Sequence, residues 1–148
     1  MTVDEIVRRV GERSRRLASG LPVLQPPLGS DFSLSGVMPL PEVWRPAAVL
    51  VPLVRREPGL TVLLTQRTED MPSHAGQIAF PGGRRQAEDP DEIATALRET
   101  EEEVGLTRDF IEVIGPVDHY RTGTGYEITP IVGIVTPGFT TRADPREV

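Results

Sequence analysis

Residues 82–106 read GGRRQAEDPDEIATALRETEEEVGL, and the second half of this stretch predicts a sharply bounded helix. Asp89 is placed as its N-cap, a proline follows at the first helical position, and Glu92 stands three residues after the cap. Gly105 stands where a left-handed C-cap is needed. The predicted helix therefore extends from about Pro90 to Val104. Its mostly apolar face consists of Ile93, Ala96, Leu97, Thr100 and Val104.

Three glutamates share one side of this helix. Glu99 and Glu103 are one turn apart, and Glu102 lies about 60° from Glu99 around the axis. Like charges at this spacing cost a few tenths of a kcal/mol per pair, and the helix dipole disfavours anions near a C-terminus. A bound Mg²⁺ or Mn²⁺ would reverse this cost, because hard cations prefer carboxylate oxygens. The spacing alone also allows an exposed acidic turn, with Glu101 solvated on the opposite side.

The surroundings of the acidic run favour the metal interpretation. Arg98 stands four residues before Glu102 and can hold that carboxylate in a fixed orientation. Upstream, residues 80–83 (FPGG) predict a tight turn whose backbone can approach a metal or a phosphate closely. A Gly-Gly pair without this context indicates only a turn.

The stretch as a whole resembles the Nudix box, a Gly-led loop followed by an R-E-x-x-E-E helix and a terminal Gly plus aliphatic residue. Residues 98–106 (RETEEEVGL) match its second half. Two departures are visible. Thr100 stands where an aliphatic residue is usual. One residue more than the common spacing separates Gly83 from the box arginine, and Asp89 stands nearest the usual first glutamate.

The resemblance implies an α/β/α sandwich of Nudix type with a mixed sheet, and a pyrophosphohydrolase that uses Mg²⁺ or Mn²⁺. Glu99 and Glu103 are then the principal metal ligands, and Glu102 is a further ligand or a general base. Arg98 joins Glu99 and Glu102 in the implied catalytic group. The identity of the base stays open between Glu99, Glu102 and an acid outside the box, such as Glu127.

A second signature lies just upstream, in residues 63–83 (LLTQRTEDMPSHAGQIAFPGG). It is similar to the L-L-T-x-R and H-x-G-Q motifs of the Nudix subgroup that includes coenzyme A pyrophosphatases. Those enzymes cleave coenzyme A to 3′,5′-ADP and 4′-phosphopantetheine. An arginine such as Arg67 suits recognition of the 3′-phosphate through its bidentate fork. The implied substrate-binding residues are Arg67, His74, Gln77, Gly82 and Gly83.

Other interpretations of these residues remain open at this point. Arg67 could pair with an acid at a strand end, His74 could be a buried hydrogen-bonded histidine, and Gln77 could satisfy backbone groups beside the turn. Two other functions also remain: a nucleotide-pool hydrolase acting on other nucleoside diphosphate derivatives, and a non-catalytic Nudix-fold ligand sensor. The full set of helix carboxylates argues against the sensor.

Composition limits the remaining function classes. The 148 residues suit a single domain, and the net charge of −6 disfavours nonspecific binding to nucleic acid or anionic lipid. Cysteine is absent, which excludes thiol chemistry. No apolar run approaches the roughly 20 residues of a membrane span, and the N-terminus lacks the core of a secretory signal. We therefore expect a cytoplasmic protein with a small-molecule nucleotide substrate, and leave a homodimer open.

The chain divides by pattern into two parts of the same domain. Residues 1–46 predict an amphipathic helix from Val3 to Leu17 and then an irregular arm, and residues 47–148 form the expected Nudix hydrolase domain. We expect that domain to be incomplete at its C-terminus, because the family usually continues into a further strand and helix. Pro130 is expected to interrupt its strand or push it to an edge. The predicted strands are Ala47–Val54, Leu60–Gln66, Gln77–Phe80, Phe110–Val117 and Ile128–Thr136.

Overall fold

The computed structural model of the protein describes residues 2–18, 43–57, 59–72 and 75–148, except for the side chains of residues 13–18. His74 and most of the predicted irregular arm lie outside these residues. The elements are α1 (Val3–Ala18), β1 (Arg45–Arg56), β2 (Gly59–Val62), β3 (Thr65–Gln66), β4 (Ile78–Ala79), β5 (Gly82–Arg84), α2 (Glu92–Val104), a 3₁₀ turn (Arg108–Phe110), β6 (Ile111–Pro116), β7 (Tyr120–Arg121) and β8 (Tyr126–Val135).

A mixed sheet organises the fold, as expected from the sequence. β1 pairs in parallel with β8 from Arg45↔Tyr126 to Val54↔Val135. On its other side it pairs antiparallel with β5 and then, further along, with β2. β6 and β7 pair antiparallel with β8. Successive residues of β1 face opposite sides of the sheet, so one strand can serve both the core and a cleft.

The expectation for Pro130 is wrong, because β8 is continuous and lies between β1 and β6. The N–H and C=O of one strand residue point to the same neighbouring strand. The carbonyl of Pro130 accepts from Val117 N at 3.0 Å, just after β6 ends. The missing N–H therefore faces the gap between β6 and β7, where no ladder bond is lost.

The expected single strand Leu60–Gln66 is also wrong. Leu63 N donates to Pro52 O at 3.1 Å, and the chain then leaves the main sheet. β3 instead pairs antiparallel with β4 in a separate two-stranded ribbon. The alternating pattern predicted extended backbone correctly, but it carries no information about the strand with which that backbone pairs.

Helix α2 covers one face of the sheet. Its residues Ala96 and Leu97 pack with Ala48, Leu50 and Ile131 in the main core cluster. A second cluster joins the end of α2 to the sheet through Val54, Val104, Leu106 and Val135. α1, which the amphipathic pattern predicted, packs against β6. Within the described ranges, no helix has both the length and the apolar character needed to cross a membrane.

The ends of α2 test the capping predictions separately. Gly105 adopts the left-handed conformation (φ 71°), which confirms the predicted C-cap. The predicted N-cap is wrong, because Asp91 caps the helix and accepts from Ala94 N at 2.8 Å. Asp89 lies two residues before this cap, where it is buried and binds other groups. The sequence offered two aspartates around Pro90, and only those contacts distinguish them.

Candidate active site

Asp89 and Arg98 form a buried ion pair at the start of the site. Arg98 binds both carboxylate oxygens of Asp89, with Nε to Oδ1 at 3.0 Å and Nη2 to Oδ2 at 2.9 Å. Thr95 Oγ1 and Gln86 N also donate to Oδ2, each at 2.9 Å. These donors, led by Arg98, hold the pKa of Asp89 well below its usual range, and Asp89 raises the pKa of Arg98. This network fixes the arginine in place.

The remaining nitrogen of Arg98 reaches two of the three helix glutamates. Nη1 donates to Glu99 Oε1 at 3.1 Å and to the two carboxylate oxygens of Glu102 at 3.3 Å. The predicted contact between Arg98 and Glu102 is therefore present. The Glu102 side chain is 58% exposed, whereas that of Glu99 is only 16% exposed. Glu102 thus lies at the solvent side of the arginine.

Glu99 and Glu103 lie on the inner side of the helix, as the helical spacing indicated. Burial raises the pKa of both carboxyls, and that of Glu103 reaches about 7. The charge of Glu99 raises the pKa of Glu103 further. The compensating contacts are weak: Gly82 N donates to Glu103 Oε2 at 3.4 Å, and the charge of Arg67 acts from nearby. Glu103 therefore lacks the guanidinium contact that Asp89 and Glu99 both receive from Arg98.

Two glycines permit close contacts at the start of β5, Gly82 with strand β1 and Gly83 with a side chain of helix α2. A Cβ on Gly82 would stand 2.3 Å from Ala48 O, and one on Gly83 would stand 2.6 Å from the carboxyl group of Glu99. A side chain at position 82 would collide with the backbone of β1, whereas one at position 83 would displace the carboxyl group of Glu99. The predicted close approach of the turn backbone is therefore present, and it brings the start of β5 directly against the two buried glutamates.

A cleft of about 590 Å³ opens beside these glycines. It brings together five of the predicted site residues, namely Arg67, Gln77, Gly82, Gly83 and Glu103. Glu127 is not among its lining residues. It is bound by His119 Nδ1 and Arg121 Nε, each at 3.0 Å, on the strand side opposite to its cleft-lining neighbour Tyr126. This placement removes Glu127 as a candidate base.

Glu147 also lines the cleft, although no motif in the sequence indicated it. Its charge raises the pKa of both Glu99 and Glu103. The backbone places it there, because Thr68 N donates to Glu147 O at 3.1 Å and Asp144 N donates to Glu103 O at 2.8 Å. These contacts join distant segments, so neither periodicity nor a local motif could have indicated them.

The fit to a divalent cation rests on two helix carboxylates rather than three. Across the residues with described side chains, no three His, Cys, Asp or Glu side chains are arranged to hold a metal ion. Glu102 is exposed and lies against Arg98, away from the inner side of the helix, and the ligand set of Glu99, Glu102 and Glu103 stays a prediction. Glu99 and Glu103, which lie beside Gly83 and Gly82 of β5, nevertheless have the oxygen donors that Mg²⁺ and Mn²⁺ prefer.

Comparison with known proteins gives a family match over most of the chain. A family model described as the NUDIX domain matches residues 44–147. Relatives named "Uncharacterized Nudix hydrolase NudL" occur in Escherichia coli strain K12 and in Shigella boydii serotype 18, each 51% identical over 105 residues. These alignments cover 70% of this chain and 54% of the relative. The chain thus spans about half the length of the curated relatives it matches.

Solved structures agree on the fold. A Nudix hydrolase from M. smegmatis, RenU, is similar with a TM-score of 0.59 and 21% identity, covering 70% of this chain and 66% of that one. A C. elegans Ap4A hydrolase binary complex has a TM-score of 0.58 and 20% identity, covering 68% and 73%. At these identities the likeness establishes the architecture alone.

Proposed function

Because the chain belongs to the Nudix family, we propose that it hydrolyses a nucleoside-diphosphate-linked substrate with the help of Mg²⁺ or Mn²⁺. Coenzyme A or an acyl derivative is the proposed substrate, and the products are 3′,5′-ADP and the corresponding 4′-phosphopantetheine. The observation that carries the proposal is the buried carboxyl group of Glu103, which lines an open cleft, together with the partly buried carboxyl group of Glu99 beside Gly83.

The proposed metal site uses Glu99 and Glu103 as its principal ligands, with backbone oxygen of Gly82 or Gly83 nearby. When bound, the cation polarises phosphate oxygens and lowers the pKa of a coordinated water. Glu102 is the proposed further ligand, since each of its oxygens accepts from Arg98 at 3.3 Å and keeps a second lone pair for a cation. Either Glu99 or Glu102 serves as the general base in this proposal.

Arg98 acts as a positioning residue. It binds Asp89 on one side and Glu99 and Glu102 on the other, so the buried pair fixes where the two glutamates point. Arg67 lies close enough to Glu103 for its charge to lower the pKa of that carboxyl. It is thus placed to contact the substrate's diphosphate, and Gln77 lines the same cleft. His74 enters the proposal through the sequence signature alone.

The choice of coenzyme A rests on the Leu63–Gln77 signature. A substrate panel tests it: coenzyme A, acetyl-coenzyme A, dephospho-coenzyme A, a dinucleoside polyphosphate and a sugar nucleotide, each assayed with Mg²⁺, with Mn²⁺ and with EDTA. We expect coenzyme A or its acyl derivative to have the highest kcat/KM, and turnover to stop in EDTA and return with excess metal.

Three outcomes of the panel contradict parts of the proposal. Full turnover in EDTA would overturn the metal site. A clear preference for another nucleotide would identify a nucleotide-pool hydrolase. Binding of a substrate without turnover under any metal condition would identify a ligand sensor.

A further inference from the structure

We propose that Arg45 and Arg84, held against the ring of Tyr126, bind a phosphate monoester that the substrate carries in addition to its diphosphate. This inference rests on the proposed function, since it assigns the part of the same cleft that lies away from Glu103. Arg45, Arg84 and Tyr126 all line that cleft. The class of ligand is a nucleoside diphosphate derivative with a further phosphate on its sugar.

The three side chains form one compact cluster. The guanidinium carbon of Arg45 lies 4.1 Å from the ring centroid of Tyr126, and that of Arg84 lies 5.5 Å from the same centroid. Each cation is attracted by the aromatic ring. The ring therefore holds two positive charges near each other, although they repel, and does so without neutralising either of them.

No acidic side chain forms an ion pair with these arginines in the ranges that the structure describes. Arg45 Nη2 donates to a neutral acceptor, Thr124 O, at 2.7 Å. Glu127, the acid next to Tyr126 in the chain, is bound by Arg121 instead. In a protein with a net charge of −6, an exposed cluster of uncompensated cations favours an anionic ligand.

Strand geometry separates this cluster from the glutamates. Gly82, which bonds Glu103, pairs with Val49 in the sheet. Arg45 is four residues from Val49 along the same strand, a distance of about 13 Å. Arg84 is only two residues from Gly82, but its guanidinium lies at the Tyr126 ring, so a phosphate held by the two arginines is a separate group from one at Glu103. A ligand that uses both must carry two separate anionic groups.

The floor of the cleft between the two regions is apolar. Ala47, Val49 and Ile128 line it, on the sheet face opposite to the residues that pack against α2. An uncharged sugar or base can lie on such a surface, while hydrogen bonds and charges at the ends fix its orientation. The sequence of regions along the cleft is therefore acidic, apolar and basic, which matches a nucleotide that carries phosphate groups at two positions.

This assignment moves recognition of the extra phosphate away from Arg67. Arg67 stands near Glu103, and the diphosphate must reach that same region if hydrolysis occurs there. Arg84 and Arg45 occupy the other region. Loss of Arg84 or Arg45 should therefore weaken only a ligand that carries the extra phosphate, whereas loss of Arg67 should affect ligands with and without that phosphate alike.

A binding experiment with product fragments separates these predictions without turnover. Calorimetry compares 3′,5′-ADP with AMP, in the presence of Mg²⁺, for the parent protein and for Arg84→Ala, Arg45→Ala and Arg84→Lys. We expect the parent to prefer 3′,5′-ADP, and each alanine variant to weaken 3′,5′-ADP binding about 10-fold while leaving AMP nearly unchanged. Arg84→Lys should retain part of the preference. Arg55→Ala, an exposed arginine on the same strand and outside the cleft, is the control and should change neither ligand.

The kinetic version uses coenzyme A and dephospho-coenzyme A. We expect Arg84→Ala to lower the kcat/KM ratio of the two substrates about 10-fold, and Arg67→Ala to lower both values alike. If the parent does not distinguish 3′,5′-ADP from AMP, or if Arg84→Ala weakens both equally, the inference is overturned. If coenzyme A is not hydrolysed but the binding preference depends on Arg84, the proposed substrate fails and the phosphate site stands.

Discussion

Two carboxyl groups, one just before helix α2 and one within it, expose the same small fraction of their surface, yet their pKa values shift in opposite directions. Asp89 and Glu103 are each 8% exposed. The pKa of Asp89 is lowered well below its usual range, whereas that of Glu103 is raised to about 7. Burial is the largest cause of the raised pKa of Glu103, whereas at Asp89 the hydrogen bonds from Arg98 and Gln86 outweigh burial.

The partners differ in kind. Asp89 is bound by the guanidinium of Arg98 and by further donors at 2.9 Å, so its charge is compensated within the chain. Glu103 receives one long bond from Gly82 and faces the like charges of Glu99 and Glu147. The first arrangement is complete by itself and supports the fold. The second leaves the carboxylate weakly compensated within the chain, and the cation of the proposed metal site would supply the missing positive charge.

Removing the charge of Glu103 should have the largest effect of the changes considered, and the effect should be on turnover. We expect Glu103→Gln to reduce kcat/KM about 1,000-fold at saturating Mg²⁺, because it removes a ligand from the proposed metal site. Glu101→Gln removes the same charge from an exposed position on the opposite side of the helix and should leave turnover nearly unchanged. Steady-state kinetics on both variants, with circular dichroism to check folding, measure the difference. Equal losses would show that the buried glutamate has no special role.

Disrupting the ion pair between Asp89 and Arg98 should instead lower the stability of the fold. We expect Asp89→Asn to reduce the free energy of unfolding by more than Asp91→Ala at the helix cap does, because Arg98 loses its main partner. Glu88→Gln, at the exposed neighbouring position, should cost little. Urea denaturation of the two variants measures this. If they lose the same small amount, the Asp89–Arg98 pair does not support the fold.

The raised pKa of Glu103 predicts a pH dependence of opposite sign to that of an ordinary ion pair. The folded protein holds this proton up to about pH 7, whereas the unfolded chain releases it near the ordinary value of 4.5. The metal-free protein should therefore lose stability as pH rises from about 5 to about 8. Glu103→Gln should flatten that slope and be more stable than the parent at pH 8 by about 1–2 kcal/mol.

Thermal or urea unfolding in EDTA across this pH range tests the slope, and added Mg²⁺ should restore stability to the parent but not to Glu103→Gln. A parent protein that becomes more stable over this interval would show that the buried glutamate is already compensated.

The smallest expected effect concerns Asp91, the aspartate that caps helix α2. We expect Asp91→Ala to cost about 1 kcal/mol, because Ala94 N loses its acceptor, while Asp91→Asn retains most of the cap. Urea denaturation resolves a change of this size. A loss as large as that of Asp89→Asn would mean that the two aspartates share one network, and the distinction between cap and ion pair would fail.

Local signals in the sequence predicted much of the helix and part of the site. The C-cap at Gly105 and the inward side of Glu99 and Glu103 follow from residues within one or two helical turns. The strand β1 likewise follows from its own alternation. These features depend on neighbours in the chain, so a single sequence contains what is needed to predict them.

The tertiary structure decided what depends on contacts across the chain. Asp91 rather than Asp89 caps the helix, because Asp89 is bound by Arg98. The tertiary structure also placed Pro130 where its missing N–H faces a gap between two strands. No local pattern distinguishes these outcomes, because the alternatives differ only in distant partners.

The same division applies to the cleft. The sequence by itself determined that the protein has an acidic helix face and a glycine-rich turn, because each depends only on residues that are close together in the chain. Only the fold brought Glu147 to that face and set Arg45 and Arg84 around Tyr126, from three separate strands. Strand register fixes such neighbours, and register is the outcome of packing the whole sheet rather than a property of any one segment.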